Sequence, residues 1–131
     1  MRRHLIIGIA LTAAAFHLYA AGISPFTALV QRPIHLALMA TLGFLGVGVR
    51  DKGRCNRAET VLLITAVMLG CLYIVSQQEA LVSRVGAATT LDLAAGAVVI
   101  VIVLELARRT AGWGLVTVAL TAIAYAFSGP Y

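Results

Sequence analysis

The stretch LELARRTAGWG, residues 104–114, interrupts the most apolar part of this 131-residue chain with one glutamate, two arginines and a tryptophan. A single helix covering residues 92–127 would contain 36 residues. At ~1.5 Å per residue it would reach ~54 Å, whereas the hydrocarbon core of a bilayer is ~30 Å thick. A charged side chain at the centre of a membrane helix costs ~2.5–3.5 kcal/mol on insertion scales. The stretch therefore predicts a break between two helices at a membrane surface.

Composition extends this interpretation to the whole chain. Hydrophobic residues make up 61% of it and charged residues 11%, whereas soluble proteins have ~45–50% apolar and ~25% charged residues. We therefore predict an all-α integral membrane protein. Each span needs ~20 residues, so 1–131 has room for a single transmembrane domain of a few helices.

Hydropathy predicts about five spans, four of them in a bundle and a fifth that follows the charged stretch. They cover residues 5–22, 34–49, 60–76, 91–107 and 111–127. The second and third lie near the lower length limit of ~17 residues. The first follows Arg2 and Arg3 and ends in small residues, as a signal peptide would, but we expect it to be retained as a span.

The basic residues predict the orientation, because Lys and Arg accumulate in the cytoplasmic loops of membrane proteins. With the N-terminus inside and the C-terminus outside, only Arg32 and Arg84 of the ten Lys and Arg fall outside. The other eight fall inside: Arg2, Arg3, Arg50, Lys52, Arg54, Arg57, Arg108 and Arg109. Basic inner loops also explain the net charge of +5, so a nucleic acid is not expected as a partner.

The aromatic residues agree with this orientation. Tyr19, Tyr73 and Tyr125 fall near the outer ends of their predicted spans, and Trp113 falls near the inner end of the last one. Tyrosine and tryptophan are enriched at both surfaces of a membrane.

Glu105 precedes Arg108 and Arg109 by three and four residues, the favourable order for ion pairs on one helix face. Two interpretations stay open. The cluster either anchors the helix at the interface, or Glu105 pairs with one arginine and the other guanidinium is presented to a partner subunit. A substrate or ion site is the third possibility.

The fourth predicted span has a local start signal. The run TTLD at residues 89–92 resembles a capping box, in which Asp92 accepts from the backbone at the helix start. This start places residues 105–109 ~20–25 Å further along the helix, at the other surface. Gly112 and Gly114 then loosen the turn into the fifth span.

A second polar segment, residues 23–36, contains Gln31, Arg32 and His35. Pro33 suits the first turn of a helix, so Gln31 or Arg32 is predicted to cap the second span. His17 and His35 both fall near the outer surface, where we expect interfacial side chains. A zinc site would need a further ligand, and none is evident.

Catalytic and redox chemistry have no sequence signal here. Cys55 and Cys71 are 16 residues apart, which is ~24 Å along a helix, so both are predicted to be free thiols. No nucleotide loop, metal-binding helix or nucleophile with its base is present. We predict no enzyme activity and no cofactor in this chain.

Five segments together resemble a known family of membrane proteins. They are FHLYAAG (16–22), QRPIHL (31–36), DLAAG (92–96), LELARRTAGW (104–113) and YAFSGPY (125–131). These resemble the small subunit, or the N-terminal membrane region, of tripartite ATP-independent periplasmic (TRAP) transporters of the TAXI type. In many members this region is fused to the large subunit, and the fifth span is similar to the connector of fused members.

The resemblance implies a non-catalytic subunit in the bacterial inner membrane. Its implied partners are a large transmembrane transport subunit, which imports an organic acid by a sodium-driven elevator motion, a periplasmic substrate-binding protein, and membrane lipids. The sodium ions are expected in the large subunit. Residues 24–32 and 77–90, with Arg32 and Arg84, are the predicted outer segments that meet the binding protein. The alternatives are a self-associating small carrier or channel and, with no visible catalytic set, a membrane enzyme.

The resemblance and the polar positions together define the candidate subunit-interface or structural residues. They are Gln31, Arg32, His35, Asp92, Glu105, Arg108, Arg109 and Trp113.

Overall fold

The computed structural model describes residues 2–23, 26–50 and 57–129, and these residues form six helices and no strand. The helices are α1 (Arg2–Gly22), α2 (Ala28–Arg50), α3 (Arg57–Ser76), α4 (Gln78–Ser83), α5 (Thr90–Ala111) and α6 (Trp113–Ser128). Four of them, α1, α2, α3 and α5, are long and apolar enough to cross a membrane. The predicted all-helical fold is thereby confirmed.

Contacts between helices show that the four long helices alternate in direction. His17, late in α1, contacts His35, early in α2. Arg109, late in α5, reaches Glu59 in the first turn of α3, and Tyr73, late in α3, binds Asp92 in the first turn of α5. Arg109 also lies beside Phe44 in the second half of α2, so α2 runs in the same direction as α5 and opposite to α3. We call the two ends of this bundle the Glu105 end and the Asp92 end.

The core lies where α2, α3 and α5 meet. Its buried residues are mostly small or slender, which lets helix backbones approach closely where no hydrophobic effect drives association. Phe44 and Val67 are the largest side chains that are fully buried. The buried set consists of Ala37, Ala40, Phe44, Val67, Cys71 and Ile102.

Helices α1 and α6 flank this core. Helix α1 packs on α2 and buries Ala13 and Ala20. Helix α6 packs on α5 through Val116, while residues 121–128 are exposed. At 16 residues, α6 is ~24 Å long and shorter than the ~30 Å hydrocarbon core.

Two boundaries agree with the sequence. Thr89 caps α5: its hydroxyl accepts from the Asp92 N–H at 3.3 Å, and Asp92 Oδ2 accepts from the Thr89 N–H at 2.8 Å. The predicted capping box is confirmed. Helices α5 and α6 are separated at Gly112, whose φ of 83° lies in the left-handed region that favours glycine.

The predicted start of the second span was wrong. Helix α2 begins at Ala28, where the Gln31 N–H donates to the Thr27 carbonyl at 2.9 Å. Pro33 therefore lies inside the helix, and Gln31 and Arg32 are helical residues rather than caps. An interior proline removes one backbone hydrogen bond and crowds the carbonyl four residues earlier, here that of Leu29, but α2 continues through Pro33 to Arg50.

The outer segments also differ from the prediction. Most of residues 24–32 belongs to α2, and residues 77–90 contain the short helix α4 instead of an open loop. Cys71 is a buried free thiol, as expected. The predictions for Ser24, Lys52, Arg54 and Cys55, and for the last two residues of the YAFSGPY segment, lie outside the described residues.

Helices α3 and α5 approach closely at Gly70. A Cβ added there would lie 2.8 Å from Val99 Cγ2, and the β-branched Val99 has little rotamer freedom to move away. We expect Gly70→Ala to lower the free energy of unfolding by ~1–3 kcal/mol through overpacking. Thermal unfolding in detergent measures this change.

Gly96→Ala is the matched control, because no atom lies within 4 Å of a Cβ added at that helical position. It should leave the unfolding temperature unchanged or raise it slightly. Equal losses for the two variants would contradict the close approach at Gly70.

Candidate functional site

The charged stretch forms an ion-pair cluster at the end of α5. Glu105 and Arg108 make a two-pronged pair, in which Arg108 Nε donates to Glu105 Oε2 and Arg108 Nη2 donates to Glu105 Oε1, both at 2.7 Å. Residues three apart lie on one helix face, so this pair is local to α5. The planar guanidinium matches the carboxylate geometry in a way that an ammonium cannot.

Arg109 links α5 to the two neighbouring helices. Its Nε donates to Glu105 Oε1 at 2.6 Å, and its Nη2 donates to Glu59 of α3. Its guanidinium carbon also lies 5.9 Å from the centre of the Phe44 ring of α2. With its side chain only 10% exposed, Arg109 is directed into the bundle.

Arg108 extends the cluster toward α6. Its guanidinium carbon lies 5.6 Å from the centre of the Trp113 ring, which is close enough for a cation–π interaction. The Gly112 N–H donates to the Arg108 carbonyl at 3.1 Å and closes the last turn of α5. The first residue of α6 is therefore held by the same cluster that joins α5 to α3.

The cluster is neutral as a unit. Two carboxylates, Glu59 and Glu105, face two guanidiniums, Arg108 and Arg109. Removing a charged side chain from water costs much less free energy when it is paired with an opposite charge and hydrogen-bonded than when it has no partner. The arrangement joins helices α2, α3, α5 and α6 at one end of the bundle.

Sequence reasoning found part of this cluster. It placed Glu105 beside the two arginines, and one of its open interpretations left one guanidinium for a partner subunit. In the structure both guanidiniums bind Glu105. It missed Glu59 and Phe44 altogether. The predicted topology already placed Glu59 and Arg109 at the same membrane surface. Their opposite charges could therefore have predicted the ion pair between them.

A second polar cluster surrounds Asp92 at the other end of α5. Asp92 Oδ1 accepts from the Tyr73 hydroxyl at 2.8 Å, and Arg84 Nη2 lies 3.6 Å from the same oxygen. The Asp92 side chain is only 6% exposed. Asp92 therefore caps its own helix, as predicted, and also ties α5 to α3 and to the segment after α4. Tyr73 and Arg84 were not predicted as its partners.

A third group joins α1 to α2 near the Asp92 end. His17 Nε2 lies 2.6 Å from His35 Nδ1, so the two histidines predicted near one surface are in contact. A pocket of about 440 Å³ opens beside them. It is lined by His17, Phe26, Ala28, Gln31, Arg32 and His35.

The structure thus distributes the eight predicted site residues over three places. Glu105, Arg108, Arg109 and Trp113 form the cluster at the Glu105 end, Asp92 belongs to the second cluster, and Gln31, Arg32 and His35 line the pocket. Within the described ranges, no group of three or more His, Cys, Asp or Glu side chains is arranged to hold a metal ion.

Comparison of this chain with protein-family models, with curated proteins and with solved structures found no match. The family resemblance of the five sequence segments therefore stays a prediction. The class of protein that the fold itself supports is a helical protein with four helices suited to crossing a membrane.

The two arginines of the cluster should respond differently to the same substitution. Arg109→Lys removes the planar guanidinium that donates to Glu59 and Glu105 at the same time. We therefore expect the free energy of unfolding to fall by an amount on the order of 1–2 kcal/mol. Arg108→Lys disturbs a more exposed pair within one helix and should lower stability much less. Thermal unfolding of both variants in the same detergent is the measurement. A larger loss for Arg108→Lys would show that the contact between helices is not what stabilises this end.

Proposed function

We propose that this chain is the non-catalytic small membrane subunit of a TAXI-type TRAP transporter, or the corresponding region of a fused permease. In this role it braces the large elevator-type subunit during sodium-coupled import of an organic acid that a periplasmic binding protein delivers. The proposed family depends on the resemblance of the motifs QRPIHL and LELARRTAGW. The distribution of charge in the structure supports the bracing part.

The observation that carries a bracing role is the absence of charge from the middle of the long helices. In α1, α2, α3 and α5, each Asp, Glu, Lys and Arg of the described chain lies within about two turns of a helix end. Transport sites for ions and organic acids usually place ionisable groups or broken helices near the bilayer midplane. A bundle with charge only at its ends is better suited to holding a neighbour than to conducting a solute.

Uncovered apolar surface supports a membrane partner. Leu115, Val118, Leu120, Ile123 and Phe127 of α6 are all exposed, and α6 has α5 as its main neighbour. We propose that α6 is a fifth, connector-like span that packs against the large subunit. Lipid would cover the remaining outward faces.

The proposed orientation puts the N-terminus and the Glu105 end in the cytoplasm of a bacterium. The alternating helix directions gather Arg3, Arg57, Arg108 and Arg109 at the Glu105 end, whereas Arg32 and Arg84 lie toward the Asp92 end. This asymmetry is the pattern of the positive-inside rule.

Single cysteines test the orientation. In a chain that carries Cys55→Ala and Cys71→Ala, Ser83→Cys should react with an impermeant thiol reagent added to cells with a permeabilised outer membrane. Ala111→Cys, an equally exposed position at the Glu105 end, should react only after the inner membrane is opened. The reverse pattern would overturn the orientation but not the fold.

Purification from the native host tests the proposed role. The tagged chain should recover a larger multi-span membrane protein, and deletion of its gene should abolish uptake of an organic acid. In proteoliposomes, the chain alone should not transport. Transport by the isolated chain would instead favour a self-associating carrier or channel.

Glu105→Ala should lower recovery of the large subunit while leaving membrane insertion intact, because the apolar runs that direct insertion are unchanged. The substitution removes the shared partner of Arg108 and Arg109, and with it the support for the start of α6. Gly96→Ala serves as the control. Co-purification in detergent measures the effect, and wild-type recovery from Glu105→Ala would assign the cluster to anchoring at the interface alone.

A further inference from the structure

The pocket beside the two histidines is positively charged and has no acidic lining. Its charged or titratable lining residues are His17 from α1 and Arg32 and His35 from α2, and no carboxylate lines it among the described residues. Gln31 adds an amide that can donate. Neither Arg32 nor Gln31 makes a side-chain hydrogen bond or ion pair within the described chain. These donors are therefore available to a ligand.

Aromatic contacts fix the position of Phe26, one of the lining residues of the pocket. Phe26, in the short connection before α2, stacks on Phe16 of α1 with ring centres 5.6 Å apart and lies 6.0 Å from the ring of Tyr19. Thr27 donates its hydroxyl proton to Gln78 Oε1 of α4 at 3.0 Å. Phe26 and Thr27 are thus held by contacts with both α1 and α4. The resulting volume of about 440 Å³ falls within the ~300–1,000 Å³ range of small-ligand pockets.

The contacts of the histidine pair define which ring nitrogen remains for a ligand. His17 Nδ1 lies 2.6 Å from the Ala13 carbonyl oxygen, which can only accept, so Nδ1 carries a proton. In the neutral ring, His17 Nε2 is then an acceptor, and His35 Nδ1 donates to it at 2.6 Å. The remaining nitrogen, His35 Nε2, is the one that can face a ligand.

The position of the pocket indicates the source of its ligand. It lies toward the ends of two helices that are suited to crossing a membrane, the late part of α1 and the early part of α2. Leu18 and Ile23, close by in sequence, are about three-quarters exposed and offer an apolar surface for acyl chains. Basic pockets between membrane helices are known to bind anionic headgroups.

We propose that this pocket binds a phosphodiester, with Arg32 and Gln31 as its donors and His35 beside them. The ligand is an anionic phospholipid headgroup or a free phosphodiester of the same chemistry.

Three probes separate the sources of the ligand. The purified chain in neutral detergent is titrated with a short-chain phosphatidylglycerol, with the soluble headgroup glycerophosphoglycerol, and with a diacylglycerol that lacks the phosphate. Signals from isotope-labelled histidine rings report on binding. Binding of both phosphodiesters supports a site for the free group, and binding of the lipid alone supports a headgroup site. Equal binding of diacylglycerol would overturn the proposal, because the contact would then be apolar only.

Variants test the named donors. Arg32→Gln should weaken binding of phosphatidylglycerol about tenfold or more, because a charge-assisted hydrogen bond is lost. Arg3→Gln, which changes an exposed arginine at the opposite end, should leave binding unchanged. Equal effects of the two substitutions would show a non-specific attraction to positive charge and would overturn the site.

Absence of binding of either phosphodiester to the wild-type chain would overturn the site itself.

Discussion

This structure depends on one constraint: a charged side chain that is shielded from water needs a partner of opposite charge or a set of hydrogen bonds. Arg109 satisfies this constraint at the Glu105 end by bridging Glu105 of its own helix and Glu59 of α3, with the Phe44 ring of α2 beside it. A charge buried without a partner would cost several kcal/mol, so the three helices are held in one register by the need to keep this set together.

The same constraint acts at the other end of α5. Asp92 is nearly buried and is satisfied by the backbone of Thr89, the hydroxyl of Tyr73 and the nearby guanidinium of Arg84. Helix α5 is therefore fixed to α3 at both ends, with about 20 Å of uncharged helix between Asp92 and Glu105. Helices α1 and α6 are held by fewer polar contacts, through His17 and Trp113 respectively. This difference separates a centre with polar contacts at both ends of α5 from two flanking helices with fewer polar contacts.

A centre in which α5 is joined to α3 by polar contacts at both ends is consistent with the proposed bracing role. A brace has to resist the motion of its partner, and paired charges at both ends of α5 oppose sliding of α5 against α3. It also has to present apolar surface to a membrane neighbour, and the exposed side of α6 offers such a surface. The pocket between α1 and α2 adds a proposed contact with phosphodiesters that is independent of the partner subunit, so the two proposals stand or fall separately.

The sequence by itself determined the membrane-protein composition, the break near Gly112, the capping box at Thr89 and Asp92, and the placement of Glu105 on one helix face with Arg108 and Arg109. It predicted about five spans, and four helices are long and apolar enough to cross a membrane. All of these depend on composition or on residues within four positions of each other, where helix geometry alone brings groups together. The start of α2 was missed because local proline statistics were outweighed by a helix already begun at Ala28.

Only the tertiary structure decided the contacts Glu59–Arg109, Tyr73–Asp92 and His17–His35. Each joins residues on different helices, so it depends on the rotation and height of one helix against another. Those quantities are set by packing across the core, such as the approach of Gly70 to Val99, and a hydrophobic pattern read along one helix carries no information about them.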